Sequence, residues 1–344
     1  MKLLVLTTSG FAPTHTEKLL AQIDYLNSFS DMEVIVKKDL PLADIEHMIM
    51  TQNFDCVYPT TVFKYSDDRK NIISFNKILY QILEYHRQPY IGSELFVHML
   101  LNDKALTNLR SGMSLPSILL TRSLWEKRHT DAVQYISTAP YPVIVKPNTL
   151  AASLGISKAS VADSVEHALS VIEKQFAEFP NINELLLEHY LNIAHEFTVS
   201  VTGNGTKKLC NATALVSRTK DYEMFSYTNK NLQAPKRSLE YSSYIPAATK
   251  KLLKEKALYL SQLLQVRDYS RFDFLMDEEK HLYLIDANSL PALGANYLLE
   301  YTDKNLLSNT QILALLLLVF CKRTNFAYPE YIRNLSDEIL EYIL

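Results

Sequence analysis

RDYSRFDFLMDEEKHLYLIDANSLPALG, residues 267–294, decides the architecture of this 344-residue chain. Asp273 sits in an apolar run with Phe272, Phe274, Leu275 and Met276, and the polar turn Asp277-Glu278-Glu279-Lys280 follows. A second apolar run, Leu282 to Ile285, ends at Asp286-Ala287-Asn288. Strand, tight turn and returning strand make a β-hairpin. Antiparallel pairing brings Asp273, near the start of one strand, to the end of the other. Asp286 and Asn288 stand two apart there and share a face. Two carboxylates and an amide oxygen converging from neighbouring strands are hard donors of the kind Mg²⁺ takes beside phosphate oxygens. An isolated D-x-N is more often a solvated hairpin end, so the weight rests on what surrounds it.

Composition narrows the classes. The length suits two or three domains, and 47% apolar residues is a globular proportion. A net charge of −3 gives no field that draws the chain to nucleic acid or an anionic membrane. Cys56, Cys210 and Cys321 are far apart and form no C-x-x-C, which points away from zinc knuckles and disulfides and towards a reducing, cytoplasmic setting. The opening MKLLVLTTSG reads as a first strand rather than a signal peptide. The apolar run Ile312 to Phe320 is well short of the roughly 20 residues of a membrane helix, and reads as a core helix or a dimer face. Glycine is scarce, with 7 residues, and neither G-x-G-x-x-G nor G-x-x-x-x-G-K-[ST] occurs. Phosphate must therefore be held by side chains or by a differently built loop.

Residues 1–92 alternate strands (Lys2–Thr7, Met32–Lys37, Phe54–Pro59) with helices (Thr16–Ser28, Asp44–Thr51, Asn76–His86), the pattern of a doubly wound parallel sheet. Residues 93–187 begin with a helix Ser93–Ser111, capped by Ser93, that contains Asn102-Asp103-Lys104. Strands Ser117–Thr121, Tyr141–Lys146, Ile156–Ala159 and Glu184–His189 follow, with helices around Trp125–Ile136 and Ala162–Phe176. Residues 188–344 hold strands Glu196–Thr202 and Lys207–Val216 about Gly203-Asn204-Gly205, a strong hairpin signal. A tyrosine-rich irregular tract suited to a lid, helix Thr249–Gln265, the acidic hairpin, helix Ser308–Lys322 and a terminal helix Tyr331–Leu344 complete the chain.

Lys146 ends an apolar strand and faces a loop, Pro147 to Gly155, and a buried strand-end lysine needs an anion. Lys104 lies on a preceding helix. Lysines on two elements and a Mg²⁺-type acidic pair on a third describe a nucleoside triphosphate clamp.

In this order the segments resemble the ATP-grasp enzymes, and most closely the D-alanine–D-alanine ligases. The resemblance is carried by Tyr90-Ile91-Gly92-Ser93 with Asn102-Asp103-Lys104, by Tyr141 to Pro147 with Ser153-Leu154-Gly155, by Leu185 to Glu188 with Glu196 to Val199, and by Arg271-Phe272-Asp273 with Asp286 to Pro291. It implies an α/β fold, α+β in the C-terminal half: a three-domain ATP-grasp architecture with an N-terminal doubly wound domain. Lys104 and Lys146 would hold ATP phosphates under the loop 148–155, which carries Ser153. Glu188 and the backbone near Leu191 would face adenine, and Glu196 the ribose. Asp273, Asp286 and Asn288 would bind two Mg²⁺ ions, with Mn²⁺ an alternative, and Arg271 would neutralise an acyl phosphate. The partners implied are a small-molecule carboxylate and amine, with no nucleic acid or membrane, and a homodimer is a family-level expectation.

Departures fall mostly on the amino acid side, with two, at Phe225 and Asp286, where the resemblance places phosphate and metal contacts. Tyr58-Pro59-Thr60 stands where the family has His-Gly, Leu150-Ala151-Ala152-Ser153 where it has glutamate, glycine and two serines, and Phe225-Ser226 where it has Lys-Tyr. Lys220, Lys230 and Lys236 are the candidate replacements. Ala292 replaces a glycine, Asp286 a more usual glutamate, and Asn296-Tyr297-Leu298 lies where the second D-alanine binds. His15 or Glu17 would take the place of a substrate-contacting glutamate. The expectation is an ATP-dependent carboxylate–amine ligase whose substrates are not two D-alanines. An inactive ATP-binding homologue and an enzyme acting on a non-amino-acid carboxylate are the alternatives.

Overall fold

A computed structural model describes residues 1–7, 13–60, 64–65, 72–73, 75–150, 153–191, 195–206, 208–217, 239–242, 245–291, 309–327, 329–330 and 335. The expected helix Tyr331–Leu344, but for Leu335, and most of the proposed lid lie outside them. Strands β1 (Lys2–Thr7), β2 (Glu33–Lys38) and β3 (Cys56–Pro59) form a parallel sheet in the order β2-β1-β3, interleaved with helices α1 (Pro13–Asn27) and α2 (Leu42–Thr51). The short hairpin β4 (Lys64–Tyr65) and β5 (Ile72–Ile73) and helix α3 (Phe75–Tyr85) follow. Alternation along β1 explains why both faces are covered. Leu3 and Val5 pack with Leu19, Ile23 and Leu26 of α1, whereas Leu4 and Leu6 pack with Ile45 and Ile49 of α2 and Leu79 and Leu83 of α3.

The expected helix Ser93–Ser111 is two helices, α4 (Leu95–Asn102) and α5 (Lys104–Ser111). Asp103 takes extended backbone between them, and its carboxylate accepts from the Leu106 amide at 2.9 Å, capping α5. Nor does Ser93 cap α4: its hydroxyl accepts from the Arg267 amide at 3.0 Å instead.

The second sheet comprises β6 (Ser117–Thr121), β7 (Val143–Pro147), β8 (Val161–Ala162) and β9 (Glu184–His189), antiparallel in the order β6-β9-β7-β8. Helices α6 (Arg122–Lys127), α7 (His129–Ile136) and α8 (Val165–Glu178) cover it. The strand expected at Ile156–Ala159 falls at Val161–Ala162 instead. Lys158–Ser160 forms a 3₁₀ turn, pinned by the Ser157 amide donating to the Ser160 hydroxyl at 3.1 Å.

The third sheet, β10 (His195–Thr202), β11 (Leu209–Ser217), β12 (Leu239–Ser242), β13 (Tyr269–Met276) and β14 (Leu282–Asn288), is antiparallel in the order β12-β11-β10-β13-β14. Helix α9 (Ala247–Leu263) covers one face, its Leu253, Ala257 and Leu260 meeting Phe272 and Phe274. Helix α10 (Ile312–Thr324) is apolar on every side and buried from Ile312 to Cys321. Although it follows the third sheet in sequence, it packs against Leu3, Val5 and Tyr58 of the first. No helix among the described residues is long and apolar enough to cross a membrane.

One polar knot ties these parts together. Asp268, fully buried just before β13, accepts from Arg323 of α10 at 2.8 and 2.9 Å, from the Gly92 amide at 2.8 Å and from the Asn204 side chain at 2.9 Å.

Candidate active site

The hairpin β13–β14 forms as its sequence indicates, with one device that decides where the site faces. Met276, Leu275 and Phe274 pair with Leu282, Tyr283 and Leu284, but Asp273 pairs with Asp286, so Ile285 is an inserted residue. A straight register would set Asp273 against Ile285 and turn Asp286 to the Phe272 side, into the core. The bulge returns Asp286 to the face of Asp273. Beyond it Arg271 pairs with Asn288, and all four polar side chains share one face while Phe272 and Phe274 fill the core opposite.

Neighbouring strands extend this face. Thr198 of β10 pairs with Asp273, and its hydroxyl donates to Asp273 Oδ1 at 2.5 Å. Arg271 grips the same carboxylate with two bonds, Nε to Oδ1 at 2.9 Å and Nη2 to Oδ2 at 2.7 Å. The Asn288 amide donates to Asp286 Oδ2 at 3.3 Å. Glu196, buried, projects from β10 on this same face.

The second sheet supplies the cationic side. Lys146, buried on β7, donates to Glu188 Oε1 of β9 at 2.6 Å, and Asn108 of α5 donates to Glu188 Oε2 at 3.0 Å. Lys104, the first residue of α5, points its ammonium at the backbone carbonyls of Asn148 and Leu150. Burial holds the Lys104 pKa below the ordinary lysine value; Asp286 and Glu188 pull it upward, and Lys146 pushes it further down. Lys104 therefore lies in the fields of both sheets, between the Asp286 carboxylate and the Lys146–Glu188 pair.

The remaining sequence candidates divide. Ser153 is half-buried in a left-handed turn, φ 57°, of the loop after β7, and Leu191 is half-buried just beyond β9. Ala151, Ala152, Phe225, Ala292 and Tyr297 lie outside the described residues. Tyr58 is core, its hydroxyl 3.1 Å from that of Tyr269. Trp125 packs in the core of the second sheet with its ring against His129, and His189 is tied to the Pro140 carbonyl at 2.7 Å. Both have structural surroundings. Sequence reading missed Thr198, Asn108 and Asn148. Of these only Thr198 carried a signal, sitting two residues from Glu196 on an alternating strand.

A doubly wound domain followed by two antiparallel sheets, one bearing the carboxylate cluster and the other Lys146, with Lys104 on helix α5, defines the ATP-grasp class. Residues 111–306, more than half of the chain, match the family described as D-ala D-ala ligase C-terminus. The chain belongs to the D-alanine–D-alanine ligase family. It is 25% identical over 285 residues to a D-alanine–D-alanine ligase of Leuconostoc citreum, covering 81% of this chain and 71% of that one. It is 26% identical over 249 residues to the vancomycin C-type resistance protein VanC2 of Enterococcus casseliflavus, covering 70% of this chain and 64% of that one. The fold matches a D-alanine–D-alanine ligase from Bacillus anthracis complexed with ATP, with a TM-score of 0.68 at 17% identity over 94% of this chain and 99% of that chain. It also matches the VanG D-Ala:D-Ser ligase from Enterococcus faecalis, with a TM-score of 0.67 at 16% identity over 93% and 99%.

Proposed function

We propose that this protein is an ATP-dependent carboxylate–amine ligase. It would form a peptide or amide bond through an acyl phosphate, on amino-acid-like substrates other than a pair of D-alanines. One observation carries the reading: the cross-strand pairs Asp273–Asp286 and Arg271–Asn288 share one face of the third sheet, and the Asp286 carboxylate and the Lys146 ammonium both act on Lys104. Similarity to D-alanine–D-alanine ligases supports the class, and the departures at Ala152, Ala292 and Tyr297 support a changed substrate, whereas Phe225 in place of a lysine is the departure that favours the inactive homologue.

Oxygen donors in cross-strand register fit a hard divalent cation. Asp273 Oδ1 accepts from both Thr198 and Arg271 Nε, whereas Oδ2 accepts one bond and has a second lone pair for a cation. Asp273, Asp286 and Asn288 would hold Mg²⁺, which supplies charge neutralisation for phosphoryl transfer. Lys104 and Lys146 would bind the phosphates, and Lys146 would exchange its Glu188 contact for a phosphate oxygen. Glu188 and the backbone near Leu191 would face adenine, with Glu196 on the ribose. Arg271, already oriented by Asp273, would neutralise charge on the activated carboxylate, and Ser153 would help order the substrate. The three domains would be 1–92, 93–187 and 188–344.

Thermal stabilisation by Mg²⁺ and ATP, compared between wild type and Asp286→Asn, tests nucleotide binding; no stabilisation of the wild type rejects it. A screen of ADP release over pairs of amino acids tests the chemistry. D-alanine as best substrate at both positions would reject the proposed specificity, and no pair releasing ADP would favour the inactive homologue.

A further inference from the structure

We infer that Asn148 is a positioning residue that sets the two proposed phosphate-binding lysines against each other. The inference rests on the ATP reading above. Asn148 follows β7 two residues after Lys146, is fully buried, and has every polar group of its side chain engaged. Its Oδ1 accepts from the Ala105 amide at 2.9 Å, and its Nδ2 donates to Asp103 Oδ1 at 3.0 Å and Glu184 Oε2 at 2.8 Å. Its backbone amide donates to the Glu184 carbonyl at 3.1 Å. Its own carbonyl accepts from both the Lys104 amide, at 3.2 Å, and the Lys104 ammonium, at 3.4 Å.

Asp103, Lys104 and Ala105 are the cap and first residues of α5, and Glu184 opens β9, the strand that ends near Glu188. One side chain therefore welds the helix that carries Lys104 to the strand that carries Lys146 and to the strand that carries its counter-ion. Alanine there would take the acceptor from the part-buried Ala105 amide and one donor from each of Asp103 and Glu184, which favours rearrangement of the helix start. The lysines would then no longer be held for a shared polyphosphate, whereas the proposed adenine and ribose contacts at Glu188, Leu191 and Glu196 make no bond to Asn148.

Binding of adenosine, ADP and ATP with Mg²⁺, together with KM for ATP and kcat, would be measured for wild type, Asn148→Ala and Asn148→Asp. Asn148→Asp keeps the acceptor for Ala105 but sets a third carboxylate against Asp103 and Glu184. Adenosine affinity is expected to hold in both variants, while ATP affinity falls about tenfold or more and the loss grows with each phosphate. KM for ATP should rise more than kcat falls. Equal losses for adenosine and ATP, unchanged ATP binding, or failure of both variants to fold would make Asn148 structural only and overturn the inference. Wild type binding ATP no tighter than adenosine would instead reject the ATP reading itself.

Discussion

Asp268→Asn isolates the knot that fixes the start of the site-bearing strand β13. The backbone there is left-handed, φ 65°, which asparagine tolerates, so the substitution changes charge and donors but not shape. Asp268 is fully buried and its Arg323 partner side chain is 20% exposed. The carboxylate accepts four bonds from Arg323, Gly92 and Asn204, and asparagine would turn an NH₂ towards at least one of those donors. Breaking a buried pair costs about 3–5 kcal/mol, and the partial exposure of Arg323 favours the lower end, about 3 kcal/mol. Unfolding entropy near 2.1 cal/mol/K per residue, over 344 residues, gives roughly 0.7 kcal/mol/K, so the melting temperature should fall by about 4 °C if the chain melts as one unit. Differential scanning calorimetry reads this directly, and a larger fall means a smaller cooperative unit. A melting temperature within about 1 °C of wild type would show that the knot does not hold the parts together.

Four further outcomes are expected. Glu188→Gln removes the anion beside the buried Lys146, so the ligand-free protein should lose about 3 kcal/mol in urea titration and gain more than wild type from Mg²⁺ and ATP; equal ligand gains would contradict a shared role for that ammonium. Thr198→Val deletes the hydroxyl bonded to Asp273 and should raise the Mg²⁺ concentration for half-maximal activity about tenfold. Lys104→Met should abolish stabilisation by Mg²⁺ and ATP yet leave the free protein as stable or more so, by about 1 kcal/mol. His98, whose Nδ1 lies 2.6 Å from the Ser289 hydroxyl, is pushed down to a pKa of about 3, chiefly by burial. The unfolded chain binds that proton first as pH falls, so stability is full above about 6.5 and declines towards 3, by at most about 1.4 kcal/mol per pH unit; His98→Gln should flatten this slope between pH 7 and 5 in urea titrations.

Local chemistry was largely legible in the sequence, and long-range geometry was not. The hairpin turn, the parallel β1–β3 unit and the Gly203-Asn204-Gly205 connection all follow from short-range patterns. Convergence of Asp273 and Asp286 was anticipated, but the bulge at Ile285 that produces it was not. Its trace is the spacing of Leu284 and Ala287, three apart on the core face where strict alternation allows only even separations. The break at Asp103 was hidden because the helical periodicity runs through it; only the capping bond to Leu106 ends one helix and starts the next. Docking of α10 on the first sheet could not be read at all, because an all-apolar helix specifies burial without naming a partner.

The presence of the residues proposed to bind ATP has two separable causes, and they do not weigh equally. Glu188 and Lys146 neutralise each other in the core, and Arg271 and Asp273 do so at the site face. A protein that had lost all activity would still be penalised for losing either partner of such a pair. Their presence is thus weak support for catalysis. Lys104 differs. Among the described residues its buried ammonium donates only to backbone carbonyls, and burial holds its pKa down. An apolar side chain of similar length would suit the folded state as well or better. The Asp286 and Glu188 carboxylates favour the cation but do not outweigh its burial, so stability gives little reason to keep it there, whereas the proposed nucleotide would. That is why the Lys104→Met pair of measurements, free-state stability against ligand response, discriminates a working nucleotide site from a fossil one more sharply than any substitution in the carboxylate cluster.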